Sequence, residues 1–91
     1  MDKLPKYQDL IRPMLLALAS AGKPMSNSQI EDAVVADLKI PASLSTAIHS
    51  GNRTELQYRL AWARTKAKMS GWIESPTREN WMITSKGIDQ K

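Results

Sequence analysis

The amino-acid sequence predicts a mainly α-helical fold with one small β-hairpin. Helical patterns occupy the first part of the chain, and a longer one runs from about 54 to 70. Two strand-like runs, "WIES" and "WMIT", then flank the turn-forming stretch "PTREN". Pro, Thr and Asn favour turns, so residues 72–84 are predicted as a hairpin. A chain of 91 residues can bury one modest core, and we therefore predict a single domain over residues 1–91.

The first helix is predicted over residues 7–21, where apolar side chains recur with i, i+3, i+4 spacing. Gly22 and Pro24 should end it. Pro13 removes one backbone donor, so the helix is expected either to start near Leu10 or to kink at the proline.

The second helix is predicted to start within Ser26–Ser28, where two Ser-x-x-Gln/Glu capping boxes fit. Pro41 should begin a short helical turn, and residues 50–52 read as a turn. The residues expected on the core side of the second helix are Ile30, Val34 and Leu38 or its neighbours.

The third helix, at about 54–70, should be closed by Gly71 in the left-handed conformation. At about 100° per residue, one side carries small and apolar residues suited to the core. These are Leu56, Leu60, Ala63 and Ala67. The opposite side carries no acid, and it presents Thr54, Gln57, Tyr58, Ala61, Thr65 and Lys68, flanked by Arg53 and Arg64.

Charge singles out the same region. The net charge is +4, and residues 53–78 hold six basic groups against two acidic ones, while the rest of the chain is balanced. Such an excess is expected of a nucleic-acid-binding surface, although a solvated Lys/Arg-rich helix face would give the same count. Gln can pair with adenine, Arg with guanine or phosphate, and a Thr methyl with thymine.

Three helices followed by a basic hairpin form the outline of a winged helix-turn-helix. The third helix would enter the major groove of double-stranded DNA, with Arg78 in the hairpin turn on the backbone or in the minor groove. The start of the second helix would add phosphate contacts from Ser26 and Asn27. The full set of expected DNA contacts on the helix and hairpin is Arg53, Thr54, Gln57, Tyr58, Arg59, Ala61, Arg64, Thr65, Lys68 and Arg78.

The three tryptophans are predicted to have different roles. Trp72 follows the Gly71 cap and should pack back on the last helical turn near Ala67. Trp81 should also lie over the core. Trp62 sits beside Tyr58, away from the main core, and either packs under the hairpin or first helix or forms a second contact surface.

The sequence offers little to other function classes. Cysteine is absent, which excludes disulfides and thiolate metal sites. The longest apolar run is far shorter than the roughly 20 residues of a membrane span, and no signal peptide is recognisable, so we expect a cytoplasmic protein. No phosphate-binding loop, zinc spacing or carboxylate pair is present, and His49 is expected in a solvated loop, so neither cofactor nor catalysis is predicted. The rival hypothesis is a winged helix used for protein interaction or dimerisation, with Tyr58, Trp62 and Met69 as its contacts.

Several segments, in this order, resemble the N-terminal domain of Mrr-type restriction proteins, which are prokaryotic endonucleases that cut foreign or modified DNA. These segments are "YQDLIRPMLLALA", "SGNRT", "RLAWARTKAKMSGWIESP" and "WMIT", and the resemblance covers Tyr7 to Gly87. The residues that match family elements are Arg59, Trp62 and Arg64 in "R-x-x-W-A-R", Ser75 and Pro76 at the hairpin entry, and Trp81 and Ile83 in the last strand.

The resemblance implies a winged helix that holds the DNA target of a restriction system. It also implies a nuclease domain with an Asp/Glu/Lys metal site beyond Gly87. No such domain follows in this sequence, so the expected partners are double-stranded DNA and either a second copy of the chain or a separate nuclease domain.

Overall fold

The computed structural model of the protein describes residues 4–46, 48–50 and 53–90. Within them, the predicted class is confirmed: the fold is mainly helical, with a small antiparallel sheet, and is compatible with a winged helix. The helices are α1 (Tyr7–Ala21), α2 (Asn27–Leu38), α3 (Ala42–Ser45), α4 (Glu55–Met69) and α5 (Ser85–Ile88). The strands are β1 (Met25–Ser26), β2 (Ile48–Ser50), β3 (Arg53–Thr54), β4 (Ile73–Thr77) and β5 (Asn80–Ile83).

Helix α1 begins at Tyr7 and continues through Pro13, so it does not start near Leu10 as one alternative had it. The proline lacks the N–H that would have bonded the carbonyl one turn earlier, but its ring is buried with the apolar stripe of the helix. Gly22 ends α1 with φ +63°, the left-handed conformation that glycine adopts without a Cβ clash.

Helix α2 begins at the predicted capping box. The Gln29 N–H donates to Ser26 Oγ at 3.2 Å, and the Ser26 N–H donates to Gln29 Oε1 at 2.9 Å. Ile30 and Val34 are fully buried, as expected. Leu38 is instead 37% exposed, and the neighbouring Ile40 takes its place in the core.

The predicted hairpin is present as β4 and β5, and this pair is called the wing below. The sheet has the order β1-β5-β4, and β1 was not predicted because it is only a two-residue strand. Its register sets Met25 opposite Trp81 and Ser26 opposite Asn80, which holds the start of α2 against the wing.

A second antiparallel pair, β2 with β3, was also not predicted. It places His49 in a strand rather than in the expected loop. The short helix α5 was missed as well. Of the turn expected at 50–52, residues 51 and 52 lie outside the described residues.

The core is built from α1, α2 and α4, and the buried residues of α4 are the predicted four, Leu56, Leu60, Ala63 and Ala67. Gly71 closes α4 with φ +79°. The Trp72 N–H then donates to the Ala67 carbonyl at 2.9 Å, the bond of a Schellman cap. Trp72 and Trp81 both pack against the core, as predicted.

Candidate nucleic-acid interface

The first turn of α4 is occupied by a capping box. The Gln57 N–H donates to Thr54 Oγ1 at 3.1 Å, and Gln57 Oε1 accepts the Thr54 N–H at 3.0 Å. Gln57 Nε2 also donates to Glu31 Oε1 of α2 at 3.3 Å. Gln57 was expected to point outward as a base reader, but its side chain joins α4 to α2. The sequence contained the signal, because Thr54-x-x-Gln57 fits a capping box.

Arg59 is directed at the segment before α1. Its Nη1 donates to the carbonyls of Leu4 at 2.8 Å and Pro5 at 3.0 Å, and its Nη2 lies 3.4 Å from Glu55 Oε1. These bonds fasten the N-terminal segment to the middle of α4. Arg59 was among the expected DNA contacts, but the structure gives its guanidinium two backbone partners about 55 residues away in the sequence and a carboxylate one turn earlier on α4.

Tyr58 belongs to an aromatic cluster on another flank of α4. The Trp62 ring lies 6.4 Å from the Tyr58 ring in an edge-on arrangement and 6.4 Å from the Tyr7 ring of α1. Trp62 therefore packs on the first helix, one of the two alternatives, while 49% of its surface remains exposed.

The second half of α4, the start of α2 and the wing surround an open groove of about 630 Å³, called the wing groove below. Five of the expected DNA contacts line this groove: Asn27, Ala61, Arg64, Thr65 and Lys68. Its full lining is Asn27, Ala61, Arg64, Thr65, Lys68, Met69, Glu79 and Trp81.

A smaller hollow of about 230 Å³ continues from the wing groove between α2 and α4. Asn27 and Arg64 line both spaces, and Ser28 is exposed at the edge of the hollow. The Ser26 hydroxyl, in contrast, accepts the Gln29 N–H as the N-cap of α2. Asn27 is thus the residue of the Ser26–Asn27 pair that opens onto the groove.

Trp81 forms one wall of the wing groove in addition to packing on the core. Its Nε1–H donates to Asn27 Oδ1 at 2.8 Å, and Lys68 Nζ lies 5.9 Å from the centre of its ring. That distance is within the range of a cation–π interaction. The groove-lining role of Trp81 was not predicted, because it depends on the register between β1 and β5.

The positive charge of residues 53–78 divides over the surface of α4. Arg64 and Lys68 line the wing groove, and Arg78 is exposed at the tip of the wing. Lys66 lies two residues from Lys68, which turns it about 160° around the helix. The Arg53 side chain lies outside the described residues. One acid, Glu79, also lines the groove.

The model of the Mrr N-terminal domain family matches residues 7–90. The chain belongs to the Mrr N-terminal domain family. Neither a curated protein nor a solved structure matched the chain. The family places this Mrr N-terminal domain in the context of restriction systems, and the match covers the N-terminal domain of that family and no nuclease domain.

Two structural features of this Mrr N-terminal domain bear on other function classes. None of the helices in residues 4–46, 48–50 and 53–90 is long and apolar enough to cross a membrane. Within the same described residues, no group of three His, Asp or Glu side chains is placed to hold a metal ion.

Proposed function

We propose that this Mrr N-terminal domain binds double-stranded DNA and serves as the target-recognition module of a restriction-type system. The observation that carries the proposal is the wing groove, where the second half of α4, the start of α2 and the wing come together. Arg64 and Lys68 line it, and Arg78 is exposed at the wing turn, next in sequence to the groove residue Glu79. In a winged helix, these are the three elements that face the duplex.

In the proposed complex, α4 lies in the major groove. A helix with side chains is about 10–12 Å across and the groove about 12 Å wide, so α4 fits. Ala61 and the Thr65 methyl supply apolar contacts suited to thymine, and Arg64 suits guanine or phosphate. Base reading thus falls to the second half of α4, since the Gln57 side chain is bonded to Thr54 and Glu31. The wing follows the backbone.

The affinity should be largely electrostatic. If four or five of the six basic groups between Arg53 and Arg78 met phosphates, the slope of log K against log salt would be roughly −4. Arg59 is directed at the segment before α1 and Lys66 lies on another side of α4, so the cations of this stretch that line the wing groove or stand at the wing turn are Arg64, Lys68 and Arg78. Three phosphate contacts give a slope of about −3.

The test is fluorescence anisotropy with a labelled random-sequence duplex over a series of salt concentrations. Arg78→Ala should weaken binding to every duplex and make the slope shallower by about one unit. The matched control is Lys39→Asn, which also removes one positive charge. Lys39 follows the far end of α2, about 18 Å from its start. Asn tolerates the left-handed backbone found there, with φ +53°. The control should leave the slope unchanged. No duplex binding at ~50 mM salt, or a slope near zero, would defeat the proposal.

The second candidate is a protein-interaction module, favoured by exposed apolar side chains on α4. Met69 is 80% exposed and Trp62 49% exposed, and the Tyr58 ring lies 6.4 Å from the Trp62 ring. Such a surface predicts a complex that survives ~1 M salt, where charge interactions are screened within about 3 Å. Sedimentation velocity at low and high salt distinguishes the two candidates. A protein complex should persist at high salt, whereas a complex with DNA should dissociate as salt rises.

A further inference from the structure

Asn27, at the start of α2, and Trp81, in β5, are joined by a side-chain bond that links two walls of the wing groove. The Trp81 Nε1–H donates to Asn27 Oδ1 at 2.8 Å across a separation of 54 residues. Trp81 is itself held in place. Its backbone pairs with Met25 of β1, and its ring packs against the core.

This bond fixes which way the Asn27 amide faces. An indole N–H can only donate, so the amide atom that meets it must be the oxygen and cannot be the nitrogen. Because the amide is planar, its NH₂ group is then directed away from Trp81. The orientation follows from chemistry, independently of how the amide oxygen and nitrogen are distinguished.

The NH₂ group of Asn27 lies in a groove lined by two cations and by one acid, Glu79 at the wing turn. Asn27 shares the wing groove with the guanidinium of Arg64 and the ammonium of Lys68, and all three groups are hydrogen-bond donors. A cluster of donors suits an acceptor that carries negative charge, as a phosphate oxygen does.

The same bond argues against base reading by Asn27. An asparagine reads adenine by using its oxygen and its nitrogen together along one base edge. Here the oxygen is turned toward Trp81, which occupies one of its two lone pairs, and the Nδ2 hydrogens are the part of the amide directed away from Trp81.

We infer that Asn27 grips a DNA phosphate through Nδ2, and that Trp81 is the positioning residue that holds the Asn27 amide in the donating orientation. The inference rests on the proposed function and deepens it, since it names a contact that contributes to affinity for all duplexes equally.

The test is a double-mutant cycle on binding to random-sequence duplex at one salt concentration, with Asn27→Ala and Trp81→Phe. Asn27→Ala should weaken binding about tenfold, the value of one hydrogen bond to a charged group. Trp81→Phe keeps an aromatic ring on the core but removes the N–H. The Asn27 amide is then free to rotate, and the affinity for duplex should fall about threefold. The double variant should bind as Asn27→Ala does, within about twofold, because without Asn27 the indole N–H has nothing to orient.

The matched control is Trp72→Phe. It makes the same chemical change at a tryptophan that packs on the core but does not line the wing groove, so the affinity should be unchanged. The free energy of unfolding of every variant is measured in parallel, and the affinity is expressed per folded molecule. Far-UV circular dichroism checks that each variant keeps the helical fold.

The outcomes separate the two proposals. If the unaltered protein binds duplex DNA and Asn27→Ala does not weaken it, the inference is wrong and the proposed function stands. The inference would also be overturned if the double variant lost affinity by the product of the two single losses. A loss of affinity confined to particular base sequences would overturn it as well. If the unaltered protein binds no duplex, both are wrong.

Discussion

The contact between Gln57 and Glu31 gives a prediction that separates a structural role from a DNA-reading one. Gln57 Oε1 accepts the Thr54 N–H at 3.0 Å, and its Nε2 donates to Glu31 Oε1 at 3.3 Å. We expect Gln57→Ala to destabilise the fold while leaving the affinity of the folded protein for DNA unchanged within about twofold. A base reader would show the reverse pattern, with a cost of ~1–3 kcal/mol on a preferred site.

The magnitude follows from the bonds that are lost. Gln57→Ala removes two side-chain hydrogen bonds, each contributing about 0.5–1.5 kcal/mol net. Both are only partly buried, so the total should be about 1–2 kcal/mol. Gln57→Glu keeps an acceptor for the Thr54 N–H but sets a carboxylate against Glu31. Two like charges near 4 Å repel by about 1 kcal/mol in bulk water and about 4 kcal/mol near a protein surface, so this variant should be destabilised. The positive end of the helix dipole offsets a few tenths of a kcal/mol of that cost.

The decisive comparison is the exchanged pair, Gln57→Glu with Glu31→Gln. In it, the amide of position 31 can donate to the carboxylate of position 57, so the contact is restored with its polarity reversed. Urea denaturation of the two single variants and the double variant should show that the double is about 1–2 kcal/mol more stable than the sum of the singles implies. Additivity within ~0.3 kcal/mol would refute the contact between α2 and α4.

Two further predictions concern the wing and its support. Gly87→Ala should lower the free energy of unfolding, measured by chemical denaturation, by about 3 kcal/mol or more, because a Cβ there would lie 2.0 Å from the Trp72 carbonyl oxygen. Gly71→Ala should lower it by only about 1–2 kcal/mol. There φ is +79°, but the Cβ would meet only the Lys86 side chain, at 3.7 Å. An equal or smaller cost for Gly87→Ala would contradict the packing of α5 on the wing. Glu79→Asn removes the acid of the wing groove and suits the left-handed backbone at φ +61°, so it should raise stability by ~0.5 kcal/mol and tighten duplex binding several-fold at low salt. Unchanged binding in the anisotropy assay would mean that the wing tip lies away from the DNA.

The helical frame could be predicted because its signals are local. The capping box at Ser26 and the left-handed Gly71 each act within a few residues, and the small Ala63 and Ala67 fall on one side of a regular helix. The hairpin was predictable for the same reason, since its turn residues stand between its two strands.

What the sequence did not predict depends on contacts between distant residues. Strand β1 has two residues and exists through its pairing with β5, so no periodic pattern can indicate it. The bond from Trp81 to Asn27 depends on that pairing. Arg59 likewise finds its partners in the segment before α1, where a charge count cannot show them.

The roles along α4 follow from what surrounds each part of the helix. Two polar side chains of its first half are bonded to other parts of the domain: Gln57 to α2, and Arg59 to the segment before α1. Its second half borders the wing groove, where Arg64 and Lys68 stand beside the wing. A recognition helix usually reads bases from its N-terminal residues. Here those residues are fastened to the rest of the domain, so a duplex held by the wing would meet α4 from Ala61 onward. A helix that enters the groove by its later turns needs a second grip on the backbone to fix its angle, and the start of α2, joined to the wing through Trp81, lies where that grip would act.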